Sequence, residues 1–285
     1  MLLFLLIFAN GYDVKIDGFP VFEKGGFNFD GLKEKLNGAG DKKVVLLNFP
    51  NNPTGYTPLD DEVPKIVSVI KEAADSGKKI VVLIDDAYFG LVYEKGVFKE
   101  SIFAQIADLS ENVLAVKIDG ATKEDYVWGL RVGFLTYSVQ NGSKELYTAL
   151  ADKTSGAVRG NISNAPNLSQ SLILKSFADP EYPKEKEEKY MTLQKRYKKV
   201  KEILAIHEEY KEQFEALPYN SGYFMCLKLK NLEAEDVRQI LLNEFSTGII
   251  AMGDIIRVAF SATPYDLIED LFANIFKACE KANKA

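Results

Sequence analysis

The first half of the chain alternates between short aliphatic runs and longer segments with helical spacing. Residues 59–76 carry aliphatic side chains at intervals of three or four, and Gly77 follows as a helix stop. Such alternation is typical of βα units, which form a mainly parallel sheet with helices on its faces. The aliphatic runs predict strands at residues 44–49, 80–86, 113–118 and 130–137.

The second half predicts a smaller α+β domain. A charged helical segment at residues 184–214 is long enough to bridge two lobes, and Pro180 and Pro183 precede it. We therefore predict a partial large domain at residues 1–180, followed by the bridging helix and a small C-terminal domain at 181–285. In this small domain, the pattern predicts strands at 222–230 and 255–262 and helices at 234–245 and 265–281.

The chain opens on a continuous apolar stretch, MLLFLLIFA. This stretch is too short to span a bilayer, and it lacks the basic residues and the small-residue cleavage site of a signal peptide. We interpret residues 1–13 as a core segment, in the form of a helix cut in the middle. This interpretation predicts a chain that starts inside a domain.

Composition excludes several classes of protein. Hydrophobic residues make up 47% and charged residues 27%, which is ordinary for a soluble globular protein. The net charge of −6 has the wrong sign for a general nucleic-acid binder. Cys226 and Cys279 form no C-x-x-C pair, so the sequence supports neither a disulfide framework nor a cysteine zinc site, and a reducing cytoplasm fits best. His207 lies in a Lys/Glu-rich helical run, which favours a surface role and a general base other than histidine.

Polar groups follow the predicted strands. The motif NNPTG at 51–55 follows the first strand, Asp85-Asp86-Ala87-Tyr88 ends the second, Lys123 follows the third, and Arg131 opens the fourth. Taken singly, each group is also compatible with a turn, a helix cap or a solvated loop. In an open α/β sheet, however, ligands bind at the carboxyl ends of the parallel strands.

Together these groups bring an amide, a carboxylate, a phenol, an amine and a guanidinium to one edge of the sheet. Pyridoxal 5'-phosphate (PLP) requires such a set. A lysine amine forms its Schiff base, a carboxylate keeps its pyridine nitrogen protonated, and an arginine holds its phosphate. The residues that would supply these groups are Asn52, Asp85, Tyr88, Lys123 and Arg131.

Six stretches, in order along most of the chain, carry a family resemblance. They are NNPTG (51–55), IDDAYFG (84–90), TKEDYVWGLRVGF (122–134), RGNISNAP (159–166), SGYFMCLKL (221–229) and IRVAFS (256–261). On these stretches the chain resembles the class I/II aminotransferases, the aspartate aminotransferase-like members of the fold-type I, PLP-dependent superfamily. The resemblance implies a PLP-dependent transferase fold, a homodimer, and transfer of an amino group from an L-amino acid to a 2-oxo acid.

The resemblance also implies a role for each matching residue. Lys123 would carry the cofactor as an internal aldimine and then shuttle the substrate's α-proton, and Asp85 would pair with the pyridine nitrogen. Asn52 and Tyr88 would bond the phenolic oxygen, and Arg131 would hold the phosphate.

Two further arginines match substrate-binding positions of the family. Arg257 would clamp the α-carboxylate of the amino acid, a task that suits a bidentate guanidinium. Arg159 would bind a side-chain carboxylate across the dimer interface, although a surface-loop arginine is the alternative, and Ser163 would lie near the phosphate or the interface.

The chain also departs from the family pattern. Gly120 stands where many members have a phosphate-binding serine, and no glycine-rich phosphate loop or cofactor-stacking aromatic precedes Asn52. We therefore expect the N-terminal part of the large domain to be missing, and weak cofactor binding as a result. Three alternatives to transamination stay open: a PLP-dependent carbon–sulfur lyase, a catalytically incompetent fragment, and the effector-binding part of a regulator.

Overall fold

The structure is a computed structural model that describes Gly11 and residues 15–284, so the predicted core segment at 1–13 lies almost wholly outside the described residues. The chain forms two compact units. The first comprises the described residues up to Pro50, with Pro58–Gly90 and Gly96–Lys184. The second comprises Asn51–Thr57, Leu91–Lys95 and the described residues from Glu185 onward. The predicted division after residue 180 places Asn51–Thr57 and Leu91–Lys95 in the first domain, whereas the structure groups them with the second unit.

The first unit is built on a four-stranded sheet. A small antiparallel hairpin precedes it. In chain order, the strands and first helix are β1 (Phe22–Glu23), β2 (Gly26–Phe27), α1 (Phe29–Asn37), β3 (Lys42–Asn48), β4 (Lys79–Asp85), β5 (Val113–Gly120) and β6 (Gly133–Ser138). Strands β3, β4 and β5 are parallel neighbours, which confirms the prediction of a mainly parallel sheet.

Strand β6 departs from the prediction in its start, and it is the antiparallel member of the mainly parallel sheet. It begins at Gly133 rather than at residue 130, and it pairs antiparallel with β5. Arg131 and Gly129 have positive φ angles of 56° and 97°, which interrupt the extended backbone that a strand at 130–137 requires. The chain therefore turns back beside β5 instead of crossing over to a parallel position.

Helices follow or separate the strands of this unit. They are α2 (Val63–Asp75), α3 (Phe103–Ile106), α4 (Ala121–Glu124), α5 (Lys144–Asn161) and α6 (Asn167–Phe177). Helix α2 lies where the helical spacing predicted it and buries Ile66 and Ile70 completely. No residue of α5 is buried and α6 buries only Ile173, so the apolar side chains of these two helices are largely exposed.

The second unit packs helices against an antiparallel sheet. Its elements are α7 (Tyr182–Ile206, which begins within the first unit), β7 (Phe214–Ala216), β8 (Met225–Leu229), α8 (Ala234–Phe245), β9 (Ile250–Met252), β10 (Ile255–Val258) and α9 (Ile268–Ala282). The strand order is β7-β8-β10-β9. Helix α8 has the predicted bounds, whereas α7 ends at Ile206 rather than at 214, because the chain turns at His207 into a short 3-10 helix.

Residues 51–57 join the second unit through Gly55. The Gly55 carbonyl accepts hydrogen bonds from the backbone N–H groups of Asn220 and Ser221, both at 2.9 Å. Asn220 also exchanges two side-chain bonds with the backbone of Thr57. At Gly55 φ is +73°, and a Cβ there would stand 2.0 Å from the carbonyl oxygen of Phe224. Only glycine therefore fits this close backbone approach.

A buried ionic cluster lies where β4 and β5 end. Asp86, with 2% exposure, accepts a 2.5 Å hydrogen bond from Ser101 and lies 3.5 Å from the Lys117 ammonium. Lys117 also pairs with Asp119 at 2.5 Å. Burial raises the pKa of Asp86 to about 6, because the loss of hydration outweighs the opposing effects of Ser101 and Lys117.

Among the residues from 15 to 284, no helix combines the length and the apolar character needed to cross a membrane.

We expect Gly55→Ala to lower the unfolding free energy of the second unit by about 3–5 kcal/mol, from backbone strain and the overlap with Phe224. Gly253→Ala is the matched control, because Gly253 has φ +58° in the same unit and nothing within 4 Å of its added Cβ. Gly253→Ala should lower the unfolding free energy by only about 1–2 kcal/mol. Denaturant unfolding measures both variants, and equal losses would contradict the close approach at Gly55.

We expect the stability of the wild type, relative to Asp86→Asn, to fall as the pH rises. The folded-state pKa of Asp86 is about 6, above its ordinary value of 3.8, so the folded state binds the proton more tightly. Between about pH 4 and pH 6 the wild type should lose about 2–3 kcal/mol of unfolding free energy relative to the variant. Asp75→Asn, which breaks an exposed pair with Lys71, is the control. A flat difference for Asp86→Asn would contradict the expectation.

Candidate active site

The parallel strands bring their carboxyl ends to one edge of the sheet. Asn48 at the end of β3 pairs in register with Asp85 at the end of β4, and Asp85 pairs with Ile118 of β5. The Asn48 side-chain amide donates a 3.0 Å hydrogen bond to the Asp85 backbone carbonyl. This bond holds the ends of β3 and β4 in register. These strand ends carry three of the predicted polar groups: Asp85 ends β4, Tyr88 comes three residues later, and Lys123 comes three residues after the end of β5.

Asp85 is partly buried at this edge. Its carboxylate accepts a 3.1 Å hydrogen bond from the backbone N–H of Ala87. Loss of hydration raises the pKa of Asp85, and the Ala87 N–H and the charge of Lys123 oppose the rise. The carboxylate is therefore held beside a cation in a place that water reaches poorly.

Lys123 lies on the short helix α4, directly after β5. Its ammonium is 5.0 Å from the ring centroid of Tyr88, whose side chain is buried. Loss of hydration lowers the pKa of Lys123, the nearby Asp85 carboxylate opposes this, and the positive charge of Arg131 adds to it. An amine that gives up its proton more readily is a better nucleophile toward a carbonyl carbon.

The first unit thus brings together four of the predicted residues: Asp85, Tyr88, Lys123 and Arg131. This donor set fits PLP, because it supplies a primary amine for the aldehyde, a carboxylate for the pyridinium and a guanidinium for the phosphate. Gly120 precedes α4 with extended backbone, and a Cβ there would meet Val132 at an ordinary 3.6 Å. The backbone at Gly120 would thus accommodate an added Cβ.

Asn52 and Arg257 come together within the second unit. Arg257, on β10, donates a 3.0 Å hydrogen bond from Nη1 to Oδ1 of Asn52. Its guanidinium lies 4.3 Å from the ring centroid of Phe224, a contact that the sequence did not indicate. The Nε atom of Arg257 is buried and has no hydrogen-bond partner among the described residues. A guanidinium with a buried, unused donor is suited to a carboxylate ligand.

Arg159 lies apart from these groups, in the last turn of α5. Its side chain is exposed, and Nη1 donates a 2.8 Å hydrogen bond to the hydroxyl of Ser163. Within the first unit, the structure records no contact between Arg159 and Lys123 or Asp85 among the described residues.

The cluster of Asp86, Lys117 and Asp119 was not among the groups that the sequence predicted. A signal was present, because Lys117 and Asp119 are two residues apart on a strand and so project from one face. Charged residues on the same face of a largely buried strand indicate a partner for each charge.

Comparison with known proteins identifies the family. A sequence model described as aminotransferase class I and II matches residues 8–275. An aspartate aminotransferase from Bacillus sp. (strain YM-2) is 27% identical over 158 residues, which are 54% of this chain and 36% of the relative. An aspartate aminotransferase from Thermotoga maritima is 32% identical over 114 residues, or 39% of this chain and 27% of the relative. The chain thus spans about a third of the length of these curated relatives.

Solved structures share the fold over most of the chain. An aminotransferase from Anaerococcus prevotii superposes with a TM-score of 0.77 at 25% identity, covering 92% of this chain and 63% of that one. The alpha-aminoadipate aminotransferase of Thermus thermophilus, solved with N-(5'-phosphopyridoxyl)-L-leucine, gives a TM-score of 0.74 at 19% identity, covering 95% and 66%. Since the family model spans nearly the whole sequence, the chain belongs to the class I and II aminotransferase family.

Proposed function

We propose that this chain is a PLP-dependent aminotransferase that moves an amino group from an L-amino acid to a 2-oxo acid. The observation that carries the proposal is the environment of Lys123: its amine lies over the buried Tyr88 ring, beside Asp85, and loss of hydration lowers its pKa. Membership of the aminotransferase family supports the same reaction. When bound, PLP supplies a ring that withdraws electrons from the substrate's Cα.

Each predicted residue of the first unit has a role that follows from its functional group. Lys123 would hold the cofactor through its amine and would move the substrate's α-proton at Nζ. Asp85, whose pKa is raised by burial, would face the pyridine nitrogen and keep a proton there. Tyr88 would donate to the phenolic oxygen, and Arg131 would balance the charge of the phosphate.

The residues of the second unit take up the substrate in this proposal. Arg257 binds the α-carboxylate, which its buried and unpartnered Nε supports. Asn52 accepts a hydrogen bond from Arg257 and so holds its guanidinium in place. The flat Phe224 ring limits how the guanidinium tilts.

We extend the proposal to a dicarboxylic substrate, a homodimer and a cytoplasmic location. Arg159 supports the dicarboxylate, because it is exposed and ends a helix that buries none of its own residues. The apolar surface of α6 supports the homodimer: Leu168 and Leu174 are 73% and 71% exposed, which is unusual for large aliphatic side chains. Cys226 and Cys279 are both free and buried, which suits a reducing compartment.

We expect Lys123 to be the lysine that PLP modifies. Borohydride reduction of the PLP-treated chain should fix a phosphopyridoxyl group on the Lys123 peptide, since its amine has a lowered pKa. Lys123→Ala should abolish both the visible absorbance band and the label. Lys33→Ala, which removes an exposed pair with Glu72, should change neither. Label on another lysine in the wild type would contradict the assignment.

We expect the two arginines to affect different substrates. Arg257→Gln should lower kcat/KM for every amino acid by a factor of roughly 30 to 1,000, equivalent to about 2–4 kcal/mol for a lost carboxylate contact. Arg159→Gln should lower kcat/KM by a similar factor for aspartate and glutamate only. Arg238→Gln, at an exposed pair with Glu235, is the control.

Steady-state assays with aspartate and with an aromatic amino acid, each against 2-oxoglutarate, measure these effects. Equal losses on both substrates in Arg159→Gln would exclude a side-chain role for Arg159. Release of a thiol, pyruvate and ammonia from a cysteine thioether, without any amino-group acceptor, would favour the carbon–sulfur lyase instead.

A further inference from the structure

The ionic cluster lies on the opposite face of the sheet from Asp85. Ile84 pairs in register with Lys117, and Asp85 pairs with Ile118. Successive side chains of a strand project to opposite faces, so Lys117 and Asp85 are on different sides. Asp86 follows Asp85 and projects to the same side as Lys117, which it contacts.

Lys117 joins the ends of two neighbouring strands. Its ammonium lies 3.5 Å from Asp86, the residue directly after β4, and 2.5 Å from Asp119 near the end of β5. The ring of Phe89 covers the ammonium at 5.1 Å. The three side chains are only 20%, 3% and 15% exposed, so their attraction is weakly screened by water.

The same strand ends carry the groups of the candidate active site. Asp85 immediately precedes Asp86, and Lys123 follows Asp119 by four residues through the single turn of α4. Beyond the last paired residue of β4, one backbone hydrogen bond still connects the two strands: the Asp86 N–H donates to the Ile118 carbonyl at 3.0 Å. The ionic contacts of Lys117 therefore supply the side-chain link that holds this pair of strand ends together.

We propose that Lys117 is a positioning residue that fixes the Asp85 carboxylate relative to the Lys123 amine by joining Asp86 to Asp119. Its importance for catalysis rests on the proposed function, but its effect on the pair does not need the cofactor. Without Lys117, no side chain joins Asp86 to Asp119, and the two strand ends move apart.

The experiment measures the reactivity of the Lys123 amine in the cofactor-free full chain. The rate of acetylation of Lys123 by acetic anhydride is followed against pH by peptide mass spectrometry, in the wild type and in Lys117→Met. The two ways in which Lys117 can act have opposite signs. If Asp85 moves away, its charge no longer holds up the pKa of Lys123, and acetylation becomes faster. If Lys117 acts only through its own positive charge, its loss raises that pKa and acetylation becomes slower.

We expect acetylation of Lys123 to become about threefold faster in Lys117→Met at a fixed pH below its pKa, and Lys117→Arg to restore the wild-type rate. Lys199→Met is the matched control, because Lys199 is also 20% exposed and pairs with Glu269 at 3.2 Å. It should leave the Lys123 rate unchanged.

A second variant covers a failure of Lys117→Met to fold. Lys117→Met combined with Asp86→Asn removes one positive and one negative charge, so no net charge is lost and any faster acetylation reports position alone. A slower or unchanged rate in the variant that folds would overturn the proposal. Failure of PLP to label Lys123 would overturn the proposed function but leave this result standing.

Discussion

The parallel pairing of β3, β4 and β5 is the constraint on which the candidate site depends. Parallel strands end at the same edge, and the register sets Asn48, Asp85 and Ile118 at one level. Residues that are distant in the chain, such as Asp85 and Lys123, become neighbours because their strands end side by side. The loops after these strands can carry the polar groups, since the ladder already satisfies the backbone of the buried strands.

Loss of hydration, more than attraction between charges, sets the direction of the pKa shifts of Asp85, Lys123 and Asp86. The pKa of Asp85 is raised and that of Lys123 is lowered, although each faces the opposite charge. Both shifts favour the neutral forms, because the protein replaces water with few compensating dipoles. The same balance governs Asp86 across the sheet, where a carboxylate beside Lys117 still titrates near pH 6. Loss of hydration thus shifts the pKa of each of these three groups toward its neutral form.

In the second unit, close backbone packing at Gly55, rather than an ion pair, holds the polar residues of the 51–57 segment in place. Gly55 lets residues 51–57 approach the start of β8, and the hydrogen bonds of Asn220 and Ser221 hold them there. Asn52, three residues earlier, is thereby placed to accept a bond from Arg257. The NNPTG motif thus serves two purposes, because its glycine makes the approach possible and its asparagine provides the polar contact.

Four features could be predicted from the amino-acid pattern alone: the βα alternation, the edge at which Asp85 and Lys123 meet, the family, and helix α8 to the residue. These features depend on local periodicity and on residue types at strand ends, which a single sequence displays. Four others depend on packing: the antiparallel direction of β6, the end of α7 at Ile206, the exposed helix α5, and the cluster around Lys117. The tertiary structure also assigned residues 51–57 to the second unit, through a bond between Ser221 and Gly55 that spans 166 positions. Contacts of such sequence separation leave no periodic trace, because each depends on which distant backbone or charge the fold brings near.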